Sequence, residues 1–81
     1  MLRLDNWKMI PTADGSVSAI GDVGTRIYWM TLRITGVRWR QVMAESGTVY
    51  ILGDPLPGAW VEYLATYRPI FHALMVRHKN I

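Results

Sequence analysis

Alternation is the clearest regularity along this chain. Between Met30 and Thr35, Leu32 and Ile34 point one way while Thr31, Arg33 and Thr35 point the other. After Gly36, Val37, Trp39, Gln41 and Met43 share one face, and Arg38, Arg40 and Val42 share the opposite one. Period-two alternation built from β-branched and aromatic residues marks half-buried strands. Thr48–Leu52 adds another strand after the Glu45-Ser46-Gly47 turn. Upstream, Trp7–Ile10 is a short apolar stretch stopped by Pro11, which suits an edge or first strand. Val17–Val23 alternates weakly, with Gly21 a candidate bulge. Asp14-Gly15 tolerates the positive φ of a tight turn, so these first two strands are expected to form a hairpin. About five short strands with short connections is the pattern of a small curled sheet or barrel.

Beyond Leu52 the period changes. Asp54 reads as an N-cap, with Pro55 in the first helical position, where its missing N–H costs nothing. Leu56, Trp60, Tyr63, Leu64 and Tyr67 then recur at helical spacing and leave Glu62 and Arg68 to solvent. Pro69 is expected to end or kink this helix, because a residue before proline avoids the α region. In the segment 70–79, Ile70, Phe71, Leu74, Met75 and His78 fit a helix, while Ile70, His72, Leu74, Val76 and His78 fit a strand. Alanine, leucine and methionine tilt the balance towards helix. The expected architecture is a single α+β domain over 1–81. A strongly curved antiparallel sheet or SH3-like barrel of about five strands within 7–52 carries a C-terminal helix over about 55–68, with a second helix as an alternative for 70–79. The expected core is Leu32, Ile34, Trp39, Val49, Ile51, Trp60 and Leu64.

Composition adds one constraint. Of the 81 residues, 51% are hydrophobic, more than a small sphere easily hides. The surplus implies either an apolar patch that binds something or a self-associating dimer. Without cysteine there is no disulfide and no thiolate metal site. Asp5 and Asn6 interrupt the start where a signal peptide needs an apolar run, and no apolar run approaches a membrane span, so a cytoplasmic location is expected.

Candidate chemistry is sparse. Ser16, Ser18 and Ser46 lack the surroundings of an activated nucleophile. His72 and His78 are spaced so as not to converge on a metal, and no acidic residue follows Glu62. Gly53-Asp54-Pro55-Leu56-Pro57-Gly58 fails as a phosphate cradle, because its prolines remove amide donors and no lysine is near. No catalytic residue, metal ligand or cofactor is expected.

Binding is better represented. The net charge of +3 is concentrated: no acid occurs from Val23 to Ala44, where Arg26, Arg33, Arg38 and Arg40 fall beside Tyr28, Trp29 and Trp39. Arginines on phosphates with rings stacked on bases would make a nucleic-acid surface. Arginine, tryptophan and tyrosine also dominate protein interface hot spots, and a surface of Tyr28, Trp29, Arg33 and Arg38 would suit an acidic protein groove equally.

The stretch Ser46-Gly47-Thr48-x-Tyr50-x-Leu52-Gly53-x-Pro55 ahead of a helix resembles a segment recurring in short, mostly uncharacterised bacterial and phage accessory proteins. The resemblance covers about a quarter of the chain, and implies a small sheet-rich fold and no activity. Three expectations follow. The first is a non-enzymatic interaction protein that binds a larger protein partner, in one version a phage or mobile-element inhibitor of a host defence complex of the anti-CRISPR kind. The second is a small nucleic-acid-binding barrel, and the third a self-associating structural module. The candidate binding residues are Arg26, Tyr28, Trp29, Arg33, Arg38 and Arg40.

Overall fold

Leu2–Pro11 (β1) is ten residues long, and its buried side chains explain how it does two jobs. Leu4, Trp7 and Met9 are all buried, although Leu4 and Trp7 differ in parity. Asn6 reconciles them: its φ of 48° is left-handed, and the register against the next strand shifts between Asp5 and Lys8. Asparagine adopts that conformation at low cost because its short polar side chain bonds locally. Here its amide Nδ2 donates to Asp22 Oδ2 at 2.9 Å. This computed structural model describes residues 1–79, with side chains to residue 74.

The remaining strands are Val17–Val23 (β2), Arg26–Met30 (β3), Ile34–Arg38 (β4), Gln41–Ala44 (β5) and Val49–Leu52 (β6), in the order β3-β2-β1-β6-β5-β4. The architecture is α+β, with a six-stranded sheet rather than about five strands. It is mixed rather than antiparallel, because β1 divides its length. Asp5 and Lys8–Pro11 pair antiparallel with β2, whereas Leu2–Leu4 run parallel to Tyr50–Leu52. That parallel pairing continues past β6, as Gly53 donates to Leu4 O, Asn6 to Asp54 O and Leu56 to Trp7 O.

The sheet curls strongly without closing. Thr31 N–H donates to Ala19 O on β2, and two residues later Arg33 O accepts from Glu45 N–H at the end of β5. Two residues span at most ~7 Å, so the chain can pass between these partners only if the sheet's ends approach. Among the described residues no ladder joins β3 to β4, and the barrel expected from sequence is therefore an open, curved sheet.

Two further expectations are corrected by this geometry. Val37–Met43 is a hairpin, not one strand: Arg38 pairs with Gln41, leaving Trp39 and Arg40 as the turn, with Trp39 at φ 55°. Its inward residues are Ile34, Val37, Val42 and Ala44, and Trp39 lies exposed at the tip. Leu32, in the link between β3 and β4, is exposed too, while Val49 and Ile51 are half-buried.

The helix also begins later than its sequence pattern implies. Hydrogen bonds to β1 hold residues 53–56 against the sheet, so the cap is Gly58, in the left-handed region at φ 81°, and not Asp54. From there Ala59–Glu62 (α1), a π-helical turn over Tyr63–Tyr67, and Arg68–Lys79 (α2) run on without a break. Pro69 therefore does not end the helix. Its ring would collide with the carbonyl four residues back and it has no N–H to donate. The π turn widens the helix just ahead of it, and Arg68 N–H bonds Tyr63 O five residues back. Tyr63, Tyr67 and Phe71 stay buried over the sheet, Trp60 is half-buried, and Leu64 is exposed. The segment 70–79 is helical, and the side chains of Met75, Val76 and His78 fall outside those described.

Trp7 joins the helix to the sheet. It packs edge-on against Trp60 and Tyr63 at centroid distances of 6.3 and 5.7 Å, and its indole N–H donates to Gly53 O at 2.9 Å. The Tyr63 hydroxyl, buried beside it, has no hydrogen-bond partner among the described residues, and burial raises its pKa.

Candidate interaction surface

The outer face of β1, β2 and β3 is built by a second irregularity. Gly21 opposes Trp29 and Val23 opposes Arg26, so Asp22 faces both Ile27 and Tyr28. Two residues against one make a bulge, which redirects side chains. Tyr28 takes the strain, at φ 55°, and its N–H donates to Asp22 Oδ1 at 3.3 Å. Because Asp22 also accepts the Asn6 amide, one carboxylate ties the irregularity in β3 to the one in β1.

Both bulge residues consequently protrude: Ile27 is 67% exposed and Tyr28 78%. They border a groove of about 680 Å³ together with Ile10, Ile20, Leu56, Asn6, Lys8 and Asp22. Met30, opposite Ile20, extends the apolar surface along β3. A second hollow of about 470 Å³ adjoins it through Lys8 and Leu56 and reaches the start of the helix at Gly58 and Glu62. These large exposed side chains gathered along one groove make this face the candidate surface.

The six residues expected to form a binding face do not share one. Arg26, Tyr28 and Trp29 lie on β3, Arg33 in the link to β4, and Arg38 and Arg40 at the β4–β5 hairpin. Tyr28 alone belongs to the groove. Trp29 turns towards the core, its indole N–H donating to Tyr50 Oη at 3.2 Å, with the Arg26 guanidinium 5.1 Å over its ring. Arg33 is paired with Glu45 at 2.7 Å. Arg40 donates to Leu52 O and Gly53 O and lies 4.9 Å over the Trp60 ring, so it clamps the hairpin to the helix. Arg38 is exposed beside Trp39, which is 82% exposed.

Sequence reasoning missed Ile10, Ile20, Ile27, Met30 and Leu56, and nothing in their local pattern distinguishes them from core residues. The one signal was the bulky Tyr28-Trp29-Met30 triplet, which a two-faced strand cannot bury whole.

Electrostatics outside the groove are structural. The Asp54 backbone N–H bonds the Asp5 carboxylate and, with Arg3 at 3.0 Å, holds its pKa below the usual value. Asp14 is lowered likewise by the Thr12 hydroxyl and the Ser16 amide, within the turn it shapes. Among the described residues no three His, Asp or Glu side chains gather to hold a metal ion, and no helix is long and apolar enough to cross a membrane. The chain matches no family model, and no curated protein or solved structure is significantly similar to it.

Proposed function

We propose that this protein is a non-enzymatic interaction module that binds a larger protein partner through the outer face of β1–β3. The observation that carries this reading is the bulge at Ile27-Tyr28. It holds two large apolar side chains out of the core, one of them in a strained conformation, beside a groove with apolar walls. Strain retained at an exposed aromatic has no packing reward and points to use. Tyrosine is also the residue type that contributes large contact area with few rotamers to lose. The resemblance of Ser46–Pro55 to bacterial and phage accessory proteins makes a host defence complex the partner class to test first.

The test is site-resolved photo-crosslinking in host extract. A photoreactive residue at position 28 should capture a discrete partner, and the same residue at Ser46, on the β5–β6 turn, should not. Equal capture at both positions, or none at position 28, would refute the assignment of this face.

A second reading, single-stranded nucleic-acid binding, has one feature in its favour: exposed Trp39 next to the uncommitted Arg38 at a hairpin tip. Arg26, Arg33 and Arg40 are already engaged within the chain. The reading requires oligonucleotide affinity that falls steeply with salt, and less steeply in Arg38→Ala. Absence of binding at low salt removes it.

A further inference from the structure

We propose that a second copy of this chain occupies the β1–β3 face when no other partner does, in a two-fold arrangement that sets Lys8 of each copy against Asp22 of the other. This rests on the reading of that face as an interaction surface and names an occupant for it.

Charge is the first reason. The groove carries one ammonium and one carboxylate among apolar walls. Lys8 makes no ion pair among the described residues, and Asp22 accepts only neutral N–H donors there. An occupant of a single charge sign would leave one of the two facing apolar surface without a counter-charge, which is costly once water is excluded. A two-fold copy answers both at once, because an isologous interface that sets residue i on residue j also sets j on i.

Shape is the second. Ile27 and Tyr28 project from the rim, whereas Ile10 and Ile20 are half-buried in the floor. Projection and recess on one surface are what a self-complementary contact requires. The bulge also decides the mode of association. It interrupts the regular edge of β3, which discourages strand-to-strand extension of the sheet and leaves face-to-face packing.

Sedimentation equilibrium over a concentration series tests this with the unsubstituted chain, Lys8→Asp, Asp22→Lys, and an equimolar mixture of the two variants. The unsubstituted chain should show a monomer–dimer equilibrium. Each variant alone sets like charges against each other and should weaken the dimer on the order of tenfold or more. The mixture should restore association, because each swapped charge then meets its opposite. Since Asp22 also anchors the bulge, Tyr28→Ser and Lys8→Glu, which leave it intact, provide a second arm; both should weaken the dimer while retaining the circular dichroism of the fold. A chain that stays monomeric throughout, a dimer indifferent to these substitutions, or a mixture no better than its components overturns the proposal. A monomer that still crosslinks a larger partner through position 28 would reject the second copy and keep the interaction surface. Loss of both would reject the surface itself.

Discussion

Replacing Tyr28 by alanine and, separately, by glycine isolates the strain on which the functional reading depends. Both substitutions remove the same exposed ring, and both keep the backbone N–H that donates to Asp22 Oδ1. They differ only in what the backbone tolerates at φ 55°. For an L-residue the left-handed region costs roughly 1–2 kcal/mol, whereas glycine enters it freely. Glycine in turn has more unfolded-state freedom to lose, which favours alanine by about 0.4–1 kcal/mol at unstrained positions. The difference leaves Tyr28→Gly more stable than Tyr28→Ala by roughly 0.5–1 kcal/mol, or some 2–8 °C in Tm for a domain of this size. Thermal and urea denaturation followed by circular dichroism measure it. The sign is the informative part, since at ordinary exposed strand positions alanine is the more stable of the two. If Tyr28→Ala equals or exceeds Tyr28→Gly, position 28 is not strained, and the inference from strain to function fails with it. Both variants should lose partner binding equally, because the ring is absent from each.

Four other substitutions test the frame that supports this surface. Trp7→Phe removes the donor to Gly53 O and part of the edge-on packing on Trp60 and Tyr63, and should cost about 1–3 kcal/mol in urea denaturation, with Gly53 O left to the longer Arg40 bond alone. Tyr63→Phe deletes a buried hydroxyl that has no partner, so stability should hold or rise by up to ~1 kcal/mol; a loss beyond that would reveal a hydrogen bond to it. Gly21→Ala would set a Cβ 2.7 Å from the Asp5 carbonyl oxygen and 2.9 Å from Leu4 Cγ, a clash with backbone that cannot swing aside, and should cost about 1–3 kcal/mol. Stability should also fall on acidification, and Asp5→Asn should remove the Asp5 share of that fall while leaving the share of Asp14. The folded pKa of Asp5 lies below its unfolded value of 3.8, so its contribution is complete above that value and is lost as pH falls through the folded one.

Much of the sheet was legible because most of its turns carry recognisable chemistry. Asp14-Gly15 and Ser46-Gly47 reverse the chain where the sequence says so, and both glycines adopt positive φ. The β4–β5 hairpin was not legible because Trp39-Arg40 contains none of the residues that favour such a turn. Continuing the alternation through it inverted the faces beyond, and placed Trp39 in the core when it stands at the tip. Asn6 produced a similar error in β1 by breaking parity between Leu4 and Trp7, so the first half of that strand went unread. Pro69 shows the converse. A local rule was overridden, because a π turn accommodates the proline and keeps Tyr63, Tyr67 and Phe71 on the sheet. Only Tyr28, among the residues singled out for binding, reached the groove. Its neighbours there come from β1, β2 and the segment after β6, and no local pattern reports that convergence.

These departures share a cause that bears on function. Asn6, Tyr28 and Trp39 are the non-glycine residues at positive φ among those described, and each sits where a strand breaks its pattern. Asn6 has a structural reason, since its amide bonds Asp22 and its break lets β1 serve both β2 and β6. Tyr28 and Trp39 have no comparable reward, because their side chains face solvent. For Trp39 the backbone is pinned from outside, by the Arg40 clamp on Leu52 O, Gly53 O and the Trp60 ring. For Tyr28 the Asp22 carboxylate performs that office. In both cases neighbouring side chains fix a conformation that the aromatic residue itself does not favour, and the ring so presented adds little to the core. Of the two, Tyr28 stands beside an apolar groove that also carries Lys8 and Asp22, whereas Trp39 stands at a hairpin tip beside Arg38. That contrast is why the proposed binding surface is the side of the sheet that carries Tyr28.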